Sequence, residues 1–257
     1  MESIISRHFS SAPCCVNDWR RLGYYLVQRR KGKKIPLQSK LNAFKADWVH
    51  RVGADIAQMV ADDNASLQPL AAKALKSGDQ FPQVELTDQL GRVTDLRVLM
   101  SRGPLVVTFY RGGWCPYCKL ELRAYQEVLP EINKLGAQLV AISPETPDNT
   151  LSTAEKNDLT FTVLSDAKGK LADALGIRFE LSPALRAYFM RAGHDLPARN
   201  GDDRWSLPMP ATYVVERSGR IAFAHIEPDY RKRIDPSAAV QALRSLENGR
   251  TSQQLHF

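Results

Sequence analysis

The stretch Pro104–Tyr110 (PLVVTFY) is apolar without alternation and is the length of one strand. A strand with one wet face alternates; one without alternation is covered on both faces, which requires layers packed on either side of a sheet. The period then changes. From Cys118 to Asn133 the residues Leu120, Leu122, Tyr125, Val128, Leu129 and Ile132 recur at helical spacing. A covered strand therefore empties into a helix, with two cysteines, Cys115 and Cys118, at the junction.

The rest of the chain from Gly78 extends this reading. QVELTDQLGRVTDL predicts two short strands about a turn at Gly91, and AQLVAIS a second buried strand. Thr146–Pro147 reads as a cap followed by proline in the first turn of a helix. FTVLSD predicts a strand and GKLADALG a helix closed by Gly176. ATYVVE and RIAFAHIE predict a hairpin through Ser218–Gly219, and Pro236 to Leu246 a last helix. Alternating β and α elements that finish in a hairpin and a helix describe an α/β fold, a mixed central sheet flanked by helices.

Four segments follow: a basic leader over 1–38, expected to be disordered; a helical extension over 39–77; the α/β domain over 78–248; and a patternless tail over 249–257. In the extension, Leu41, Phe44, Trp48, Val52, Ile56 and Val60 predict one long helix capped by Ser39, then a shorter one around 67–75. That stripe can be buried within the chain or across a homodimer. The first forty residues hold nine Lys/Arg against two acids, and this accounts for the whole formal net charge of +7. The basic character belongs to the leader, so nucleic acid and membranes are not expected partners of the folded body. No apolar run reaches the length of a membrane span and no secretory signal is legible, so the expected compartment is the cytoplasm.

The two thiols carry the chemistry. Helix N-termini expose unpaired N–H groups and partial positive charge, which lowers the pKa of a thiol placed there. A spacing of three puts both sulfurs on the first turn, where one can attack a substrate and the other the resulting adduct. A zinc site would need four ligands, and only Cys14 and Cys15, in the leader, remain. No metal and no cofactor are expected.

GDQFPQVELTDQLGRVTDL, FYRGGWCPYCKLELRAY, LVAISPETPDN, LTFTVLSD and PATYVVERSGRI together resemble the peroxiredoxin-like branch of the alkyl hydroperoxide reductase/thiol-specific antioxidant family, within the thioredoxin superfamily. The resemblance runs from about Gly78 to Leu246 and implies a thioredoxin-like fold. It also implies a thiol-dependent oxidoreductase that reduces hydroperoxides through a Cys115–Cys118 dithiol, reset by an external thiol donor, either thioredoxin-like or of low molecular weight.

Two family frames overlap on the motif. The peroxiredoxin pattern Pro-x-x-x-Thr-x-x-Cys puts Cys118 at the peroxide-attacking position and Glu121 at the acidic one. Cys115 then stands in place of Thr and Arg111 in place of Pro. The thioredoxin frame makes Cys115 the nucleophile and Cys118 the resolving thiol; of the two, Cys118 is the expected attacking cysteine. Pro210 stands where peroxiredoxins place an activating Arg, and in the thioredoxin frame implies a cis-Pro beside the dithiol. Arg111 is then a candidate for the lost guanidinium, against the plainer reading of an exposed surface arginine. Trp114, Pro116 and Tyr117 complete the candidate site, with Trp114 expected to shield the sulfurs. The residues before the dithiol, Thr108, Phe109 and Tyr110, offer no carboxylate. Competing readings are a thioredoxin-type protein disulfide reductase and a dithiol sensor tethered to a polyanion by the leader. The Pro-rich passage 178–208 is expected to lie beside the dithiol.

Overall fold

A computed structural model describes residues 35–254 of the 257-residue chain. The leader through residue 34, with Cys14 and Cys15, lies outside the described residues, as do the last three positions of the tail.

Three helices come first: α1 (Leu37–Val52), α2 (Ala54–Ser66) and α3 (Gln68–Lys73). A short hairpin, β1 (Glu85–Asp88) and β2 (Val93–Asp95), leads into α4 (Leu96–Arg102). Then follow β3 (Leu105–Phe109), α5 (Pro116–Lys134), β4 (Gln138–Ser143), α6 (Pro147–Lys156), β5 (Thr162–Ser165) and α7 (Lys170–Ala174). The Pro-rich passage, an insertion between β-strands of the main sheet, holds β6 (Arg178–Glu180), α8 (Pro183–Arg191), α9 (Leu196–Asn200) and β7 (Ser206–Pro208). Strands β8 (Ala211–Val215) and β9 (Ile221–Ile226) and helix α10 (Pro236–Gln254) complete the chain.

The main sheet has seven strands in the order β2-β1-β5-β4-β3-β8-β9. β3 runs parallel to β4 on one side and antiparallel to β8 on the other. Its alternate residues feed different cores: Leu105, Val107 and Phe109 join one cluster, Val106 the other. Covering layers on both faces explain why the strand carries no polar alternation. The mixed sheet between helices is the thioredoxin-like architecture expected above.

The extension belongs to the same core. Leu37 and Leu41 are buried with residues of α5 and α10, and Val60 packs with Leu181, Leu185 and Phe189 of the insertion. Two expectations need correction. The helix starts at Leu37, not after Ser39, because Leu37 is pulled into the core. It is also not continuous: Gly53, at φ +83, takes a backbone conformation that other residues adopt only with strain, and it separates α1 from α2. At the other end α10 extends past Leu246 to Gln254, into the segment expected to be a patternless tail. No described helix is long and apolar enough to cross a membrane.

Candidate active site

β3 delivers the chain to the dithiol from the middle of the sheet. Cys115 caps α5 with extended backbone angles, and Pro116 occupies the first turn, where a missing N–H costs nothing. Between strand and helix the loop has no room for side chains at two positions. A Cβ on Gly112 would lie 2.2 Å from Trp114 Nε1, and one on Gly113 would lie 1.9 Å from Thr153 Oγ1. The two glycines let this loop fold flat against α6, which aims Arg111 back at the helix: its backbone N–H donates to Cys118 Sγ at 3.4 Å.

Both cysteines are free thiols, with Cys115 1% and Cys118 0% exposed. Two guanidiniums serve them. Arg111, only 2% exposed and so not a surface residue, is boxed by aromatic faces. It lies 3.8 Å from the ring centroid of Tyr230, 5.2 Å from Trp114 and 5.5 Å from Phe189. Arg233, from the segment before α10, pairs through Nε with Glu121 Oε2 at 2.7 Å and donates from Nη2 to Cys118 Sγ at 3.5 Å. Sequence reading did not single out Arg233. The clue was available in Glu121, a carboxylate one position from the apolar residues Leu120 and Leu122 of α5, which demands a cation once buried.

Burial opposes ionisation of both sulfurs. At Cys115 it is overcome by hydrogen bonding from the Cys118 thiol and then by the charges of Arg111 and Arg233, so its pKa falls to about 6. For Cys118, burial and then its donated hydrogen bond and the negative Cys115 push the other way, well above an ordinary thiol. The pair therefore loses one proton readily and shares the other, held on Cys118.

A carboxyl also stands at the loop, although none precedes the dithiol on β3. Glu145, after β4, is 1% exposed and accepts the Gly113 N–H at 2.7 Å through Oε2. Burial raises its pKa to about 7, moderated by the Gly113 N–H and Arg199, with Cys118 adding to the rise.

Aromatic side chains seal the site. Tyr117 meets Phe44 of α1 edge-on at 5.0 Å and Tyr230 at 5.6 Å. Trp114 meets Phe189 at 5.5 Å and His194 at 5.0 Å, so the insertion does lie beside the dithiol loop. Trp114 packs against both the cluster that contains the sulfurs and the cluster beneath the insertion. Burial lowers the His194 pKa to about 4, so its imidazole stays neutral.

The cis-Pro expectation fails: there is no cis peptide bond among the described residues. Met209 N–H donates to the Ile177 carbonyl, and Pro210 accepts from Glu227 N–H as the chain enters β8. These bonds carry the segment straight from β7 to β8 with the intrinsically preferred trans isomer.

Residues 77–224 match the family described as AhpC/TSA family. The chain belongs to the AhpC/TSA family. Among relatives, Peroxiredoxin Bcp of Escherichia coli strain K12 is 32% identical over 114 residues, 44% of this chain and 72% of Bcp. Peroxiredoxin Q, chloroplastic, of Populus jackii is 31% identical over 43% of this chain and 52% of its own length. Among solved structures, Peroxidoxin BcpB of Mycobacterium tuberculosis has a TM-score of 0.53 at 24% identity, covering 66% of this chain and 97% of BcpB. Arg233 and helix α1 lie outside the stretch that carries the AhpC/TSA match, although they line or cover its dithiol.

Proposed function

We propose that this member of the AhpC/TSA family is a thiol peroxidase in which Cys115 attacks the hydroperoxide and Cys118 resolves the product. Residues 78–248 form the catalytic unit and the preceding helices its cover. The observation that carries the reading is a buried dithiol at a helix entrance, backed by two guanidiniums, which acidify Cys115 while Cys118 keeps its proton.

The Cys115 thiolate attacks the distal peroxide oxygen. The O–O bond breaks, and the departing alkoxide or hydroxide takes a proton to give alcohol or water. Cys115 becomes a neutral sulfenic acid. Its negative charge is then gone, so Cys118 ionises more readily, attacks the Cys115 sulfur and displaces hydroxide, which is protonated to water. The disulfide is reduced by two equivalents of an external thiol, drawn from a thioredoxin-like protein or a small thiol. Such a donor pool favours a reducing, cytoplasmic setting.

This order follows the thioredoxin frame, not the peroxiredoxin one, because an anion on Cys115 accepts a hydrogen bond from the Cys118 thiol and is then compensated by the charges of Arg111 and Arg233. Burial of both sulfurs disfavours protein disulfides as substrates, since these must approach within bonding distance. Rapid mixing of the reduced protein with hydrogen peroxide and with an alkyl hydroperoxide tests the reading. Cys115→Ser should abolish the fast oxidation step, whereas Cys118→Ser should form a sulfenic acid and stop. Fast sulfenic acid formation on Cys118 in Cys115→Ser would reverse the order. Failure of the wild type to consume peroxide would end the peroxidase reading.

A further inference from the structure

We propose that the insertion selects the oxidant by size: Phe189 and His194, closed on Trp114, admit hydrogen peroxide and keep bulky hydroperoxides from the dithiol. That the oxidant is a hydroperoxide rests on the function proposed above; the size limit at the thiols does not.

Trp114 directly precedes Cys115 in the chain. Its ring meets Phe189 at 5.5 Å and His194 at 5.0 Å, and those two rings meet each other at 6.0 Å. The three touch pairwise, one ring from the dithiol loop and two from the insertion. Phe189 is held from behind by Leu181, Leu185, Leu196 and Leu207 of the insertion and by Val60 of α2. His194 N–H donates to the Phe189 carbonyl at 2.8 Å, which fixes the two residues relative to each other. The insertion is also tied down onto α6. Thr146 N–H and Asn149 Nδ2 both donate to the Arg199 carbonyl, at 3.1 and 2.9 Å.

This wall carries polar atoms that the fold leaves unpaired. Arg111 Nε, Trp114 Nε1 and His194 Nδ1 are buried without a hydrogen-bond partner among the described residues. Arg111 packs on both Trp114 and Phe189, so all three atoms belong to one patch. The opposite wall, Tyr117 against Phe44 and Tyr230, has one such atom, the Tyr117 hydroxyl. Unpaired buried polar atoms are costly, and a cluster of them marks a place for a polar visitor. A hydroperoxide group suits this patch: its oxygens accept from the two N–H donors, and its O–H donates to a neutral imidazole nitrogen.

Size follows from packing. Both sulfurs are buried, so an oxidant reaches them only by parting side chains. Hydrogen peroxide adds two heavy atoms to the patch. A hydroperoxide bearing a phenyl ring must displace a ring already there, and a close-packed interior resists that.

Two series of rate constants test the limit. One compares hydrogen peroxide with cumene hydroperoxide on the reduced protein. The other contains no peroxide: it compares methyl methanethiosulfonate with N-phenylmaleimide on a chain whose Cys14, Cys15 and Cys118 are serine, leaving Cys115 as the thiol. Each reagent is referred to its rate with glutathione. The wild-type bulky-to-small ratio should fall below that of glutathione in both series. Phe189→Ala should raise the ratio by about tenfold, the scale on which a pocket wall discriminates. Phe189→Leu and His194→Ala, milder changes, should raise it less and in the same direction. General loosening of the fold would speed both reagents and leave the ratio in place. A wild-type ratio equal to that of glutathione, or a ratio unmoved in folded Phe189→Leu and His194→Ala, overturns the inference. If the alkylation ratio responds as expected in a protein that consumes no peroxide, the size limit stands and only the peroxidase reading falls.

Discussion

Glu121 and Arg233 form a buried ion pair, 2.7 Å from Nε to Oε2, between a helix of the dithiol unit and the segment before the last helix. Both side chains are almost fully excluded from water, so neither charge is solvated if the other is removed. Glu121→Ala should therefore destabilise the protein by about 3–5 kcal/mol, the usual cost of leaving one buried partner alone. Glu121→Gln, which keeps an acceptor for Nε, should cost clearly less. Urea midpoints with matched m-values measure both. Equal, small losses would mean that the pair contributes little to folding.

The dithiol should lose one proton far more easily than an ordinary thiol does. In a chain with Cys14 and Cys15 replaced by serine, thiolate absorbance should rise by one equivalent with a midpoint near 6, with no second equivalent in the neutral range. Arg111 contributes to this step from its aromatic box. Arg111→Met should move the midpoint upward, toward the ordinary cysteine value. A wild-type midpoint near that of free cysteine would remove the basis for attack by Cys115.

Glu145 should make stability depend on pH with a definite sign. Its carboxyl is raised on folding from an ordinary value to about 7, chiefly by burial. The unfolded chain thus gives up this proton first as pH rises. The stability due to Glu145 is fully present below the ordinary carboxylate range and is lost as pH climbs through about 7. Glu145→Gln, which can still accept from the Gly113 N–H, should show a flatter melting temperature between pH of about 4.5 and 7 than the wild type. Parallel profiles for the two proteins would contradict the raised carboxyl.

The loop before the dithiol should tolerate no side chain at Gly113. A methyl there would fall 1.9 Å from Thr153 Oγ1 and 3.1 Å from its Cβ. Gly113→Ala should cost about 1–3 kcal/mol by overpacking. Adding Thr153→Ala removes the hydroxyl and Cγ2 and should return part of that loss. Gly112→Ala should have no such rescue, since φ is +149 and the obstacle is the Trp114 indole. Thermal melts of Gly113→Ala, Gly112→Ala and the Gly113→Ala/Thr153→Ala double variant decide this, and a neutral Gly113→Ala would show that the loop can relax.

Much of the framework is legible in local sequence because its causes are local. The unalternating strand through Val106 and Val107, the proline after Cys115 and the Thr146–Pro147 helix start each follow from neighbours in the chain. The dithiol is legible for the same reason. What surrounds it is not. Arg233 reaches Cys118 across 115 positions and Glu145 reaches Gly113 across 32, and neither spacing has a period to detect. Arg111 could be named but not placed, because exposure at a loop arginine depends on Tyr230 and Phe189 closing over it. The break at Gly53 was hidden by apolar residues that keep helical spacing through it.

The closeness of the two sulfurs should protect the enzyme from irreversible oxidation. Sulfenic acid advances to sulfinic acid when a second peroxide arrives before the resolving thiol. In the proposed order the resolving thiol, Cys118, sits three positions away on the first turn of the same helix, already hydrogen-bonded to Cys115. No helix need unravel to bring the sulfurs together. Under a large excess of peroxide, intact mass should show the wild type accumulating as a species two hydrogens lighter, the Cys115–Cys118 disulfide, with little sulfinic acid. Cys118→Ser, lacking the resolving thiol, should instead gain two oxygens on Cys115. Sulfinic acid formed as readily in the wild type as in Cys118→Ser would mean that burial holds the two sulfurs apart after oxidation, and that closing the disulfide requires a larger motion than the reduced geometry suggests.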